Sequence, residues 1–116
     1  MMSYRAELLT ELDRLVAQAE HGSLIDPAGY RSQAIKRLVR GAEEYGDASY
    51  DRPVEELVVE AIEETVDIAG WLALAVLRYK DSDFAAVGGD AVAAALKAYR
   101  ACEEMRRICA RGTKVS

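Results

Sequence analysis

Six carboxylates and no basic residue lie between Pro53 and Leu77, in a segment whose apolar spacing predicts a helix. With about 100° between successive helical residues, five of these carboxylates fall within about 100° of one another. They are Glu56, Glu60, Glu63, Glu64 and Asp67, here called the acidic stripe. Because like charges at i,i+4 destabilise a helix, the stripe requires open water, basic partners or a bound cation.

The acidic stripe has the donor chemistry of a divalent-metal site. Carboxylate oxygens are hard ligands that suit Mg²⁺ or Mn²⁺. Glu60, Glu64 and Asp67, at i, i+4 and i+7, would converge on one ion from a single helical face. Trp71 continues that face one turn later and could stack against a planar base. The alternative is a solvated acidic surface with Trp71 at its edge, and the sequence leaves both interpretations open.

A second charged set lies upstream and is basic. Lys36, Arg37 and Arg40, with Arg31 nearby, form the polar side of another predicted helix. This basic stripe could hold triphosphate oxygens, with arginine binding in a bidentate manner. It could equally form salt bridges with the acidic helix or face water. The segment between the two helices, EEYGDASY (43–50), is either a further cluster of aromatic and acidic groups or an ordinary helix stop.

Helical periodicity predicts the elements that would position these residues. Four helices are expected at about 3–20, 28–45, 53–80 and 90–110, and DSDF and VGGD are expected to break the chain before the fourth. Short loops favour an all-α, antiparallel four-helix bundle in a single domain, 1–116, and alanine-rich faces favour its completion by oligomerisation. The apolar arc of the third helix is expected to be buried. It comprises Leu57, Val58, Ala61, Ile62, Val66, Ile68 and Ala69.

Composition narrows the classes of function. A net charge of −5 argues against general nucleic-acid binding, which needs a broad cationic face. The longest strongly apolar run, Ile68 to Leu77, is too short to span a bilayer. Cys102 and Cys109 lack the close spacing of a metal or redox motif and are interpreted as reduced thiols of a cytoplasmic protein.

The stretch EEYGDASYDRPVEELVVEAIEETVDIAGW resembles short phage and bacterial proteins related to the MazG-like, all-α nucleoside triphosphate pyrophosphohydrolases. The resemblance extends from Gln33 to Arg78. In that family Mg²⁺ is held by an ExxE element on one helix and an ExxD element on the next. Glu60 to Glu63 matches ExxE and Glu64 to Asp67 matches ExxD, but here the two elements are contiguous. A partner subunit could supply the second ligand set, or the site could be degenerate.

The resemblance implies a homodimer or homotetramer that cleaves a nucleoside triphosphate to the monophosphate and pyrophosphate. Glu60, Glu64 and Asp67 would hold the metal, and Glu63 or Glu56 would orient the attacking water. Lys36, Arg37 and Arg40 would neutralise the departing pyrophosphate, and Trp71 or a tyrosine would bind the base.

Two interpretations without catalysis remain open. The first is a helical phage or bacterial regulator that presents the acidic stripe to a basic protein partner. The second is a bundle that mimics DNA with its carboxylates. This second interpretation is less favoured than the first, because a single acidic stripe is narrow for DNA mimicry.

Overall fold

The chain is described from a computed structural model that covers residues 4–19, 27–45 and 51–112. These residues form four α-helices and no strand, which confirms the all-α class within the described part. The helices are α1 (Tyr4–Ala19), α2 (Pro27–Tyr45), α3 (Val54–Arg78) and α4 (Ser82–Gly112). None of these described helices is long and apolar enough to cross a membrane.

The chain divides into two compact units, Met1–Asp51 and Arg52–Ser116. In the first unit α1 packs against α2, and in the second α3 packs against α4. Three residues, 79–81, connect α3 to α4, so the second unit is a helical hairpin. The four-helix bundle and its oligomerisation stay predictions.

In the first unit, an ion pair between described residues joins the two helices: the Arg31 guanidinium donates to the Asp13 carboxylate. This contact lowers the pKa of Asp13 below its usual value, chiefly through the hydrogen bond. Both side chains are about half exposed, so the pair contributes little to stability. Leu9 and Leu12 on α1 and Leu38 on α2 are half-buried.

Pro53 is the N-cap residue of α3 and directly precedes its first helical residue, Val54. The Pro53 carbonyl accepts hydrogen bonds from the Glu56 and Leu57 amides, at N–O distances of 3.0 and 3.4 Å. Glu55 and Glu56 then lie in the first turn, where the positive end of the helix dipole favours carboxylates.

The fourth helix begins at Ser82, so the predicted start at Asp90 is wrong. Asp81, not Asp90, caps it: its Oδ1 accepts a hydrogen bond from the Phe84 amide at 2.8 Å. The Phe84 ring also packs edge-on against Tyr79, with ring centroids 4.9 Å apart. The helix begins early because DSDF supplies a capping residue and does not break the chain.

Gly88 and Gly89 lie inside α4 and do not interrupt it. A Cβ atom added to Gly88 would lie 2.8 Å from Cγ2 of Val76 on α3, a distance below van der Waals contact. A Cβ added to Gly89 would meet nothing within 4 Å. At Gly88, therefore, α4 approaches α3 so closely that a Cβ atom would not fit, and this packing offsets the low helix propensity of glycine.

The described core of the hairpin is small. Only Val58 on α3 and Ala95 on α4 are buried among the described residues, at 7% and 6% exposure. Of the seven residues of the apolar arc predicted to be buried, Leu57, Ala61, Val66 and Ile68 are exposed, so that prediction is wrong for four of the seven. Within the second unit, α4 covers only one strip of α3, and apolar flanks remain on both sides of that strip.

Candidate functional site

The acidic stripe lies on the face of α3 that points away from α4. Val58 marks the face packed on α4, and the five carboxylates lie about 120–180° around the helix from it. All five side chains are exposed, because their helical spacing places them opposite the face that packs on α4. The predicted metal and catalytic residues thus share one accessible surface of the second unit.

Arg52 is a member of this surface that the sequence interpretation missed. Its Nε donates to Oε1 of Glu56 and its Nη2 to Oε1 of Glu60, both at 3.2 Å. These contacts raise the pKa of Arg52, with the hydrogen bond to Glu60 as the largest cause and that to Glu56 next. The sequence does carry a signal for this arrangement, because Arg52, Glu56 and Glu60 are spaced at i, i+4 and i+8, which places them on one helical face.

The rest of the acidic stripe has no basic partner among the described residues. Glu63, Glu64 and Asp67 form no ion pair there, nor does Glu55 on the adjacent face. The mutual repulsion of these exposed carboxylates is a few tenths of a kcal/mol per i,i+4 pair. A cation or a basic partner at this surface would therefore be stabilised by charges that the hairpin itself does not neutralise.

The carboxylate oxygens of the stripe suit Mg²⁺, but they lie on one exposed helix face and do not enclose an ion. Within the described ranges, no group of three or more acidic, histidine or cysteine side chains is placed to hold a metal ion. Mg²⁺ usually takes only one or two protein carboxylates and completes its shell with water and substrate phosphate oxygens. Such a shared shell is the form of metal binding that this surface fits.

Trp71 follows Asp67 by one turn on the same face and is 71% exposed. Leu74, also on that side, is 47% exposed, so an apolar platform adjoins the carboxylates. An indole so exposed gains free energy when another planar or apolar surface covers it. This position fits the predicted stacking of a base and fits equally the contact surface of another protein.

The predicted phosphate-binding residues belong to the first unit. Lys36, Arg37 and Arg40 are exposed on α2 and form no ion pair within the part of the chain that the structure describes. Arg31 differs, because its guanidinium already pairs with Asp13. Asp47 and Tyr50, from the sequence between α2 and α3, lie outside the described residues.

Cys102 and Cys109 are free and half-buried thiols on α4. They lie on a different helix from the acidic stripe and contribute no ligand to it.

No family model matches the chain, and no curated protein or solved structure matches it at a significant level.

Proposed function

We propose that the protein is a metal-dependent nucleoside triphosphate pyrophosphohydrolase of the cytoplasm, acting as a homodimer or homotetramer. The observation that carries the proposal is the exposed face of α3, on which Trp71 lies one helical turn after Asp67, the last carboxylate of the acidic stripe. The carboxylates offer hard oxygen donors for Mg²⁺ or Mn²⁺, and the indole offers a stacking surface for a base.

The roles of the residues follow from their chemistry. Glu60, Glu64 and Asp67 would hold the metal, which when bound polarises phosphate oxygens and lowers the pKa of a water ligand. Glu63 or Glu56 would orient the attacking water and accept its proton. Glu60 also bonds Arg52, so a metal at Glu60 must compete with this guanidinium.

Substrate contacts complete the proposal. Lys36, Arg37 and Arg40 would neutralise the charge that develops on the departing pyrophosphate. Trp71 would stack on the base, which gives affinity but little discrimination among bases.

The test is a turnover assay with nucleoside and deoxynucleoside triphosphates in the presence of Mg²⁺ or Mn²⁺. We expect monophosphate and pyrophosphate in equal amounts, and no product when EDTA removes the metal. Phosphate assays with and without added inorganic pyrophosphatase distinguish pyrophosphate from orthophosphate. Release of orthophosphate alone, or no metal-dependent release with any nucleotide, would contradict the proposal.

A second candidate is a regulator that binds a basic protein partner through the acidic stripe. Three exposed carboxylates favour it, because Glu63, Glu64 and Asp67 form no ion pair among the described residues and are available to a basic surface. This candidate predicts that Glu60→Gln combined with Asp67→Asn stabilises the protein, because the like-charge repulsion that it removes exceeds the small contribution of the exposed Arg52–Glu60 ion pair. The enzyme predicts instead that the same variant loses any rise in melting temperature caused by Mg²⁺.

A further inference from the structure

Helix α4 carries a second surface that is unrelated to the acidic stripe. Seven uncharged residues recur at alternating spacings of four and three along 22 residues of the helix. They are Val87, Ala91, Ala94, Ala98, Ala101, Met105 and Ile108, here called the α4 seam. This mean spacing of 3.5 residues is the pattern of a helix face that packs along another helix in a coiled coil.

The α4 seam is open in the hairpin. It lies about a quarter turn from Ala95, the buried residue of α4 that faces α3. Val87, Met105 and Ile108 are 66%, 52% and 51% exposed, although each is large and apolar. Three alanines at the centre, Ala94, Ala98 and Ala101, are exposed as well. Small residues at such positions permit two helix backbones to approach closely.

One flank of the α4 seam carries charges of both signs. Asp90, Lys97, Glu104 and Arg111 recur every seven residues, each directly before a seam position or its continuation at Gly112. The opposite flank, which adjoins α3, is uncharged and consists of Gly88, Ala95, Cys102 and Cys109. The charged flank therefore decides which partner and which direction the seam accepts.

We propose that a second copy of this chain docks on the α4 seam, with the two α4 helices antiparallel and Ala98 opposite the partner's Ala101. In this register Ala91 lies opposite the partner's Ile108, and Ala94 lies opposite the partner's Met105. Each large side chain thus meets a small one, which is the complementarity that close packing requires.

The same register pairs the charges. Asp90 faces the partner's Arg111 and Lys97 faces the partner's Glu104, and two-fold symmetry repeats both pairs. Within α4, Glu104 already bonds Arg107 at 2.9 Å and lies 3.8 Å from Arg111. The side chains of these intrahelical pairs are at least half exposed, so each pair contributes little to stability. The free energy lost when they are replaced by ion pairs between subunits is therefore small.

A parallel pair of α4 helices fits poorly. It would place Ile108 against the partner's Ile108 and leave alanine against alanine along the centre. The charged flank would then face the uncharged flank of the other helix, with no ion pair between subunits. The antiparallel dimer does not depend on the proposed catalytic function.

Sedimentation equilibrium of the full chain tests the interface. Ala98→Glu places a strong helix former with a charge in the centre of the seam, and we expect the dimer dissociation constant to rise at least tenfold. Ala93→Glu makes the same change on an exposed face outside the seam and should leave the dissociation constant within twofold. Circular dichroism should show equal helicity in both variants. A wild-type monomer at all concentrations, or equal dimerisation by both variants, would overturn the interface.

A charge exchange tests the antiparallel direction. Lys97→Glu places like charges opposite each other in this register and should weaken the dimer, whereas Lys97→Glu combined with Glu104→Lys should restore it. Arg100→Glu, an equal charge reversal outside the seam, should have no effect. Failure of the double variant to regain the wild-type dissociation constant would overturn the antiparallel register.

Discussion

Asp67→Asn should lower Mg²⁺-dependent hydrolysis of nucleoside triphosphates by a factor on the order of 10² to 10³. The amide keeps the shape of the carboxylate but removes the charge that would bind the metal, and a metal's charge stabilisation amounts to several kcal/mol. The fold should not suffer, because Asp67 is exposed and has no ion-pair partner among the described residues. Initial rates at saturating nucleotide and a range of Mg²⁺ concentrations measure the effect.

Glu55→Gln is the matched control for this prediction. Glu55 is exposed on the same helix and likewise unpaired among the described residues, but it lies outside the acidic stripe. Its neutralisation changes the net charge of the protein by the same amount. Unchanged turnover in Asp67→Asn, or an equal loss in Glu55→Gln, would show that the stripe does not hold the catalytic metal.

Alanine at the two adjacent glycines of α4 should change stability in opposite directions. Gly89→Ala should raise the free energy of unfolding by about 0.5–1 kcal/mol, because alanine favours the helix and its Cβ meets open space. Gly88→Ala gains the same propensity but forces its Cβ against Cγ2 of Val76, a β-branched side chain with little rotamer freedom. Overpacking of this kind costs about 1–3 kcal/mol, so we expect a net loss.

Urea unfolding followed by circular dichroism measures both changes, and the difference between the two variants isolates the contact from the propensity. The double variant Gly88→Ala with Val76→Ala serves as a control, since shortening Val76 removes the atom that the new Cβ would strike. Equal stabilisation by both single substitutions would mean that α4 does not approach α3 at Gly88.

Local sequence patterns predicted most of the helices, because apolar periodicity and turn residues act within a few positions. The predicted range 28–45 differs from α2 by one residue at its start, and 53–80 differs from α3 by one or two at each end. The prediction for α4 failed because Gly88 and Gly89 were weighed by helix propensity alone, without the packing of α4 on α3 that places Gly88 against Val76. Contact between helices overrides a propensity difference of about 1 kcal/mol per residue.

The site was predictable only in part. Helical spacing placed the acidic stripe on one face, and the structure has those carboxylates on one exposed face of α3. The pairing of Arg52 with Glu56 and Glu60 was missed, because Arg52 precedes the predicted helix 53–80. The exposed apolar flanks of α3 were also missed, since periodicity shows which face is apolar but not how many neighbours cover it.

The melting temperature of the wild-type protein with and without millimolar Mg²⁺ tests directly whether the acidic stripe binds a metal. NaCl at matched ionic strength is the control, because salt alone screens repulsion between the carboxylates. A metal that binds the folded state raises the melting temperature by mass action, by several degrees at about 100 times the dissociation constant. We predict a rise with Mg²⁺ beyond that with NaCl, and its loss in Asp67→Asn. Equal melting temperatures in the two salts would contradict a metal site on α3.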